Sequence, residues 1–247
     1  MNRPEPLELA RPRELGDLLG DAIDIYFRNF PTVFAIAAAI VVPVQLIVAG
    51  VGLEELTASY REDDTTAELL LPTVVSVLVV APLIAAATIH VLQRLAAGER
   101  PRAGHAIQAG LDVFTPVFLA VLLAAAGVAL GLILLIVPGL YLAVRLLFVP
   151  QSVVLDNVRG ADALRHSWDT SRGFWWRTFL VILLANLIAF LPSLLIVSPL
   201  DSLAESADRQ AISLAGMILT ETLTAPFVAL VSTLLFFDLK ARRSEPA

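Results

Sequence analysis

The sequence predicts an all-α membrane protein, a polytopic bundle of about six transmembrane helices with amphipathic interfacial helices. Three observations carry this. Of 247 residues, 57% are hydrophobic and only 16% charged, with a mean hydropathy of +0.80, well outside the composition of a water-soluble domain. The apolar residues come in long blocks rather than at a helical or alternating period, and about 20 such residues cross a hydrocarbon core of about 30 Å. The basic residues fall between those blocks with a strong bias to one side.

The first 31 residues read as a cytoplasmic segment. Leu15, Leu18, Leu19, Ala22, Ile23, Tyr26 and Phe30 share one face of a helix, with Glu14, Asp17, Asp21, Asp24 and Arg28 largely away from it. A helix divided in this way can lie in the interface plane. A mixed-charge stretch rather than a short basic region precedes the first apolar block, so no cleavable signal peptide is expected. The membrane domain covers 32–239. Five blocks are long enough outright: 32–53, 69–92, 114–137, 178–200 and 212–237. The sixth, 139–155, is shorter and holds Arg145, but Val137-Pro138-Gly139 is a turn signal that makes the third and fourth spans a tight hairpin. Gly127 and Gly131, with Ala120 and Ala124 on the same stripe, mark where another helix packs closely. Residues 240–247 form a cytoplasmic tail.

Basic residues near span ends are retained in the cytoplasm, which sets the orientation. Arg3, Arg11, Arg13 and Arg28 precede span one; Arg94, Arg100 and Arg102 follow span two; Arg159, Arg165, Arg172 and Arg177 precede span five; Lys240, Arg242 and Arg243 follow span six. Of the 17 basic residues only Arg61, Arg145 and Arg209 stand elsewhere, and Arg61 lies among Glu54, Glu55, Glu62, Asp63, Asp64 and Glu68. Six spans with both termini inside satisfy the pattern; without the short fourth span the 159–177 cluster would fall outside. This places the chain in the cytoplasmic membrane as a multi-pass protein. The preference for Ala, Leu, Val and for Arg over Lys suits a bacterium with a GC-rich genome.

The segments before the odd-numbered spans look alike: Gly20-Asp21-Ala22-Ile23, Gly104-His105-Ala106-Ile107 and Ala161-Asp162-Ala163-Leu164. Twelve residues beyond each alanine stands an aromatic, Phe34, Phe118 or Trp175. The pattern predicts three similar units, each an interfacial helix followed by a hairpin.

A net charge of −6 argues against a nucleic-acid partner. Without cysteine there is no disulfide, thiolate site or thiol nucleophile. His90, His105 and His166 are scattered, no P-loop or G-x-S-x-G pattern occurs, and Glu54-Glu55 with Arg61 is spaced too widely for the EExxxR motif of intramembrane proteases. The reading is therefore a non-enzymatic protein with no cofactor or metal. Ionisable groups inside a bilayer cost roughly 2.5 to 3.5 kcal/mol on insertion scales, so Arg145 and Glu221 form a candidate intramembrane polar site or ion pair. Gln45, His90 and Asn186 are expected to make interhelical hydrogen bonds. Pro43, Pro82, Pro116, Pro150, Pro192 and Pro226 kink or edge the spans. Arg165, Trp168, Arg172, Trp175, Trp176 and Arg177 are candidates to contact anionic headgroups, since all three tryptophans gather beside the start of span five. The expected partner is membrane lipid or a membrane protein in an envelope process; the alternative is a small transporter or permease component for a lipid-related or ionic substrate.

Three stretches carry a family likeness: 137–145 (Val-Pro-Gly-Leu-Tyr-Leu-Ala-Val-Arg), 148–156, and Ala163-Leu164-Arg165-His166-Ser167-Trp168 with Gly173-Phe174-Trp175. In these the chain resembles the membrane-domain family named after glycerophosphoryl diester phosphodiesterase. The resemblance covers most of the chain and implies six helices and a membrane address, with little chemistry. Members that hydrolyse glycerophosphodiesters carry a separate catalytic barrel, for which this chain has no room. Asp156 stands where relatives often have glutamate.

Overall fold

A computed structural model describes residues 8–49 and 66–244. The acidic segment around Glu54 to Asp64, the end of the first expected span and Arg3 lie outside the described residues. Those described form α1 (Leu15–Arg28), α2 (Phe30–Val48), α3 (Thr66–Val75), a π-helical segment (Ser76–Val80) running into α4 (Ala81–Ala96), α5 (Ala103–Asp112), α6 (Phe114–Leu134), α7 (Ile136–Arg145), α8 (Val149–Asp156), α9 (Ala161–Ser171), α10 (Trp175–Ala207) and α11 (Gln210–Ser244). No strand occurs among them. Six stretches are long and apolar enough to cross a bilayer: Phe30–Val48, Leu70–Ala96, Phe114–Leu134, Ile136–Asp156, Trp175–Ala207 and Ala211–Ser244. They match the six expected spans in order, and the weak fourth is present as α7 and α8 together.

Short helix and hairpin alternate three times. α1 precedes α2 and α3–α4, α5 precedes α6 and α7–α8, and α9 precedes α10 and α11. The three matched alanines, Ala22, Ala106 and Ala163, have no exposed surface. A residue at that register faces a neighbouring helix too closely for a larger side chain, which is why the same small residue recurs. The ring pairs agree as well: Phe30 and Phe34 have centroids 5.5 Å apart, as do Phe114 and Phe118.

Each short helix folds back along the last helix of another unit, and the three contacts close a ring. α5 lies on α4, where a Cβ at Gly110 would stand 3.3 Å from the Leu83 carbonyl oxygen. α9 lies on α7 and α8: the Ser167 hydroxyl donates to the Arg145 carbonyl at 2.9 Å and accepts from the Phe148 N–H at 3.0 Å. α1 lies on α11. The Arg13 N–H donates to Asp238 at 2.6 Å, and the Tyr26 hydroxyl donates to the Leu223 carbonyl at 2.9 Å. Residues 223 and 238 are about 22 Å apart along a helix, the length of α1, so the two run antiparallel. Burial pushes the Tyr26 phenol up to about 12.

The buried stripe of α1 is Leu18, Ala22, Ile25 and Tyr26, shifted from the expected face; Ile23 and Phe27 point outward. That stripe is spent on α11, whose Leu230, Val231, Leu234, Leu235, Phe236 and Leu239 are fully buried. α10 is the opposite case, with Leu183, Leu187, Phe190, Leu191, Leu194 and Leu195 exposed. Such a surface needs acyl chains for solvent.

The tight hairpin forms one step earlier than the turn signal indicates. α6 ends at Leu134, Leu135 is extended, and Pro138 sits in the first turn of α7, where a helix can spare its N–H. Gly139 serves close approach instead of a turn. A Cβ there would lie 2.4 Å from the Leu132 side chain, and one at Gly131 would lie 2.9 Å from Gly139. Ala120 and Ala124 on the same stripe are buried, as expected for a packing face.

Candidate functional site

Arg145 and Glu221 have separate partners. Arg145, at the end of α7, donates to the Tyr141 hydroxyl at 2.8 and 3.0 Å and lies over the rings of Tyr141 and Trp168 at 5.1 and 5.0 Å. Its carbonyl is held by α9, so it belongs to the basic end of the molecule. Glu221 accepts from Gln45 of α2 and from the Ser76 hydroxyl. It lies 17 residues, about 25 Å of helix, from Asp238 at the basic end. Span four is two short helices that hold Arg145 beside α9, and this is what keeps the two charges apart. Gln45 makes its interhelical bond; His90 instead meets Arg94 of its own helix at 3.4 Å, and Asn186 donates to its own helix at Ile182.

The candidate headgroup residues divide by burial. Trp168 and Trp175 pack on Tyr141, and Trp175 stacks on Phe179. Trp176 is 70% exposed, and Arg165 and Arg172 are exposed. Arg177 turns inward, donating to the buried Asp238 at 2.9 Å.

The ring places a polar cluster at each of its three junctions, all at the basic end. Where α1 meets α11, Asp238 accepts from the Arg13 N–H, Arg177 and Arg242, and the Arg13 guanidinium bonds Asp21 and the carbonyls of Glu8 and Leu9. Burial alone would raise Asp21, but hydrogen bonds from Arg13 and Arg11 outweigh it and hold the carboxyl below its ordinary value. Its contribution to the clasp is therefore complete at neutral pH and is lost as pH falls through that lowered value. Where α9 meets α8, Asp156 bonds His166 at 2.8 Å and Lys240 at 2.6 Å, and Arg243 donates to the carbonyls of Asp169 and Arg172. The cations named in both clusters are paired within the protein, whereas the side chains of Arg159 and Arg172 beside the second have no partner among the described residues.

The junction of α4 and α5 is different. Gly98, with φ of 67°, ends α4 in the left-handed region, and the Glu99 N–H returns to the Arg94 carbonyl at 2.9 Å. This reversal, followed by Pro101, brings the connecting segment back over the helix end. The result is a cleft of about 420 Å³ lined by His90, Arg94, Glu99, Arg100, Arg102 and His105. Arg94 bonds Glu99 at 2.6 Å, while the side chains of Arg100 and Arg102 make no hydrogen bond or ion pair to the described residues. Three guanidinium groups thus face one carboxylate. Forked N–H donors of this kind match a phosphate oxygen pair. A hollow of about 490 Å³ toward the acidic end, beside Ser193, Asp201 and Glu205, has the opposite character. Among the described residues no His, Cys, Asp and Glu group is placed to hold a metal ion.

Sequence reasoning used Arg94, Arg100 and Arg102 only to orient the chain. The available signal was Glu99-Arg100-Pro101-Arg102 with Gly104-His105, where arginines outnumber acids.

A family model described as a domain of unknown function (DUF7847) matches residues 14–239, from the start of α1 to the last turns of α11. The chain belongs to this family. Its match covers all three units, so the ring lies within one family domain. It carries no reference to glycerophosphoryl diester phosphodiesterase, and that likeness rests on the quoted stretches alone. No curated protein and no solved structure matches the chain.

Proposed function

We propose that the protein is a non-enzymatic membrane protein that holds the phosphate of an anionic lipid headgroup at its basic end, facing the cytoplasm. The observation that carries this is the α4–α5 cleft, where Arg100 and Arg102, whose side chains have no hydrogen bond or ion pair among the described residues, line one hollow together with Arg94. Anionic lipids enrich the cytoplasmic leaflet and attract basic groups within a Debye length. The exposed Arg165, Arg172 and Trp176 sit at the same end and suit the surrounding headgroups.

The test is lipid retention by the full chain purified in mild detergent, read by native mass spectrometry against a mixture of anionic and zwitterionic lipid. The wild type should keep anionic lipid preferentially. Losing two charge-assisted contacts, each about 1.5–3 kcal/mol, should weaken retention about a hundredfold or more in Arg100→Gln/Arg102→Gln. Equal retention of both lipid classes by the wild type, or no effect of the double substitution, refutes the assignment.

The second reading, a transporter component, is favoured by the polar contact of Glu221 with two other spans. Proteoliposomes showing no substrate-dependent flux across a panel of lipids, phosphodiesters and ions would remove it.

A further inference from the structure

We infer that Glu221, with Ser76 and Gln45, forms an intramembrane site for a small monovalent cation, Na⁺ or H⁺. The carboxyl group stands on α11 between the buried Thr220 and Thr222. Its two oxygens meet side chains from different spans: Gln45 Nε2 on α2 at 2.5 Å, and the Ser76 hydroxyl from the second span. Neither partner is charged, and Glu221 has no ion pair among the described residues.

Among the described residues no charge is placed to neutralise it. α2 and the π-helical segment contain no charged residue. On α4 the nearest titratable groups are His90 and Arg94, which line the cleft at the basic end. On α10 the nearest is Asp201, tied to Ser213 at 2.5 Å; along α11 the next is Asp238, and Arg209 stands just before the helix, 12 residues, about 18 Å, from Glu221. A lone carboxylate among apolar spans needs a positive charge to offset its desolvation. Among the described residues none is placed there, which leaves a small cation from solution.

The backbone beside it is built for oxygen coordination. Ser76 opens the π-helical segment, in which the Ala81 N–H reaches back to the Ser76 carbonyl. One extra residue in that turn rotates Ser76 toward α11, and π-bulges of this kind gather at functional sites. Pro82 follows at once and has no N–H, so a carbonyl within Ser76–Val80 lacks its usual donor. A carboxylate, a hydroxyl and an amide that can present either its nitrogen or its oxygen supply hard oxygen ligands suited to Na⁺. The same carboxylate takes H⁺ directly, becoming a neutral acid.

The test is thermal unfolding of the full chain in nanodiscs of one lipid composition, at constant ionic strength, in NaCl, KCl or N-methylglucamine chloride, at neutral and mildly acidic pH. A Na⁺ site predicts that NaCl alone raises the wild-type unfolding temperature at neutral pH and that acid removes the difference. An H⁺ site predicts stabilisation by acid with no preference among the salts. Glu221→Gln should abolish either response, and Ser76→Ala should shift its midpoint to higher cation concentration or lower pH. If Glu221→Gln does not fold, Gln45→Leu serves with Ser76→Ala. A wild type indifferent to both salt and pH, or one whose response survives these substitutions unchanged, overturns the assignment.

Discussion

Asp238 is a carboxylate with no exposed surface, and the hydrogen bonds it accepts come from widely separated parts of the chain: the Arg13 N–H, Arg177 at the start of α10, and Arg242 one turn along α11. Burying an ion of this size costs several kcal/mol, which is recovered only where its lone pairs are all used. Here the partners also satisfy one another, because the Arg13 carbonyl accepts from both Arg177 and Arg242. Removing the carboxylate strands two guanidinium groups beside an apolar core. Asp238→Leu should therefore destabilise the protein by about 3–5 kcal/mol, read as a lower unfolding temperature and loss of monodisperse protein in detergent. Asp238→Asn should cost less, since an amide oxygen still accepts. If the leucine variant unfolds like the wild type, the clasp is not a structural element.

The α6–α7 hairpin shows how an element can depend on the absence of a side chain. A Cβ on Gly139 would approach the Leu132 side chain at 2.4 Å and its backbone nitrogen at 2.6 Å, whereas one on Gly127 would meet only Leu146 at 3.9 Å. Overpacking of this kind costs typically about 1–3 kcal/mol. Gly139→Ala should lower the unfolding temperature and Gly127→Ala should leave it nearly unchanged. Adding Leu132→Ala to Gly139→Ala should recover only part of the loss, because the backbone contact persists; full recovery would show that the side chain alone sets the spacing. The sequence made the hairpin and its small-residue stripe legible, because length and glycine spacing are local properties. It misplaced the reversal because Pro138-Gly139 has the composition of a turn, while in the fold the proline starts a helix and the glycine meets one. The partners of Glu221 were illegible for the converse reason, since Gln45 and Ser76 reach it only when three spans assemble. The cleft was hidden in plain charge, because an arginine that orients a span and one that binds a phosphate look the same in one dimension.

Across the whole molecule, the repeat of helix and hairpin becomes a closed ring because α1 returns to α11 at the far end of the chain. The matched alanines made the repeat visible in the sequence, but which unit each short helix covers is a tertiary fact. Closure makes the three junctions comparable, and the comparison marks the α4–α5 junction, where Arg100 and Arg102 line a cleft without a side-chain partner among the described residues. It also makes α1 part of the core. Without residues 1–28, α11 would lose the Arg13 and Tyr26 contacts and expose part of the Leu230, Leu234 and Leu235 surface, while the spans themselves would remain long enough to insert. The truncated chain should reach the membrane yet aggregate on extraction in mild detergent, whereas loss of a merely peripheral helix would leave a monodisperse protein. Because the closing contact is noncovalent, co-expressing residues 1–28 as a separate segment should restore monodisperse protein. A Tyr26→Phe segment, which cannot donate to the Leu223 carbonyl, should restore it less well. Failure of the wild-type segment to bind the truncated chain would mean that α1 joins the bundle only as a tethered neighbour, and that the ring is not an energetic unit.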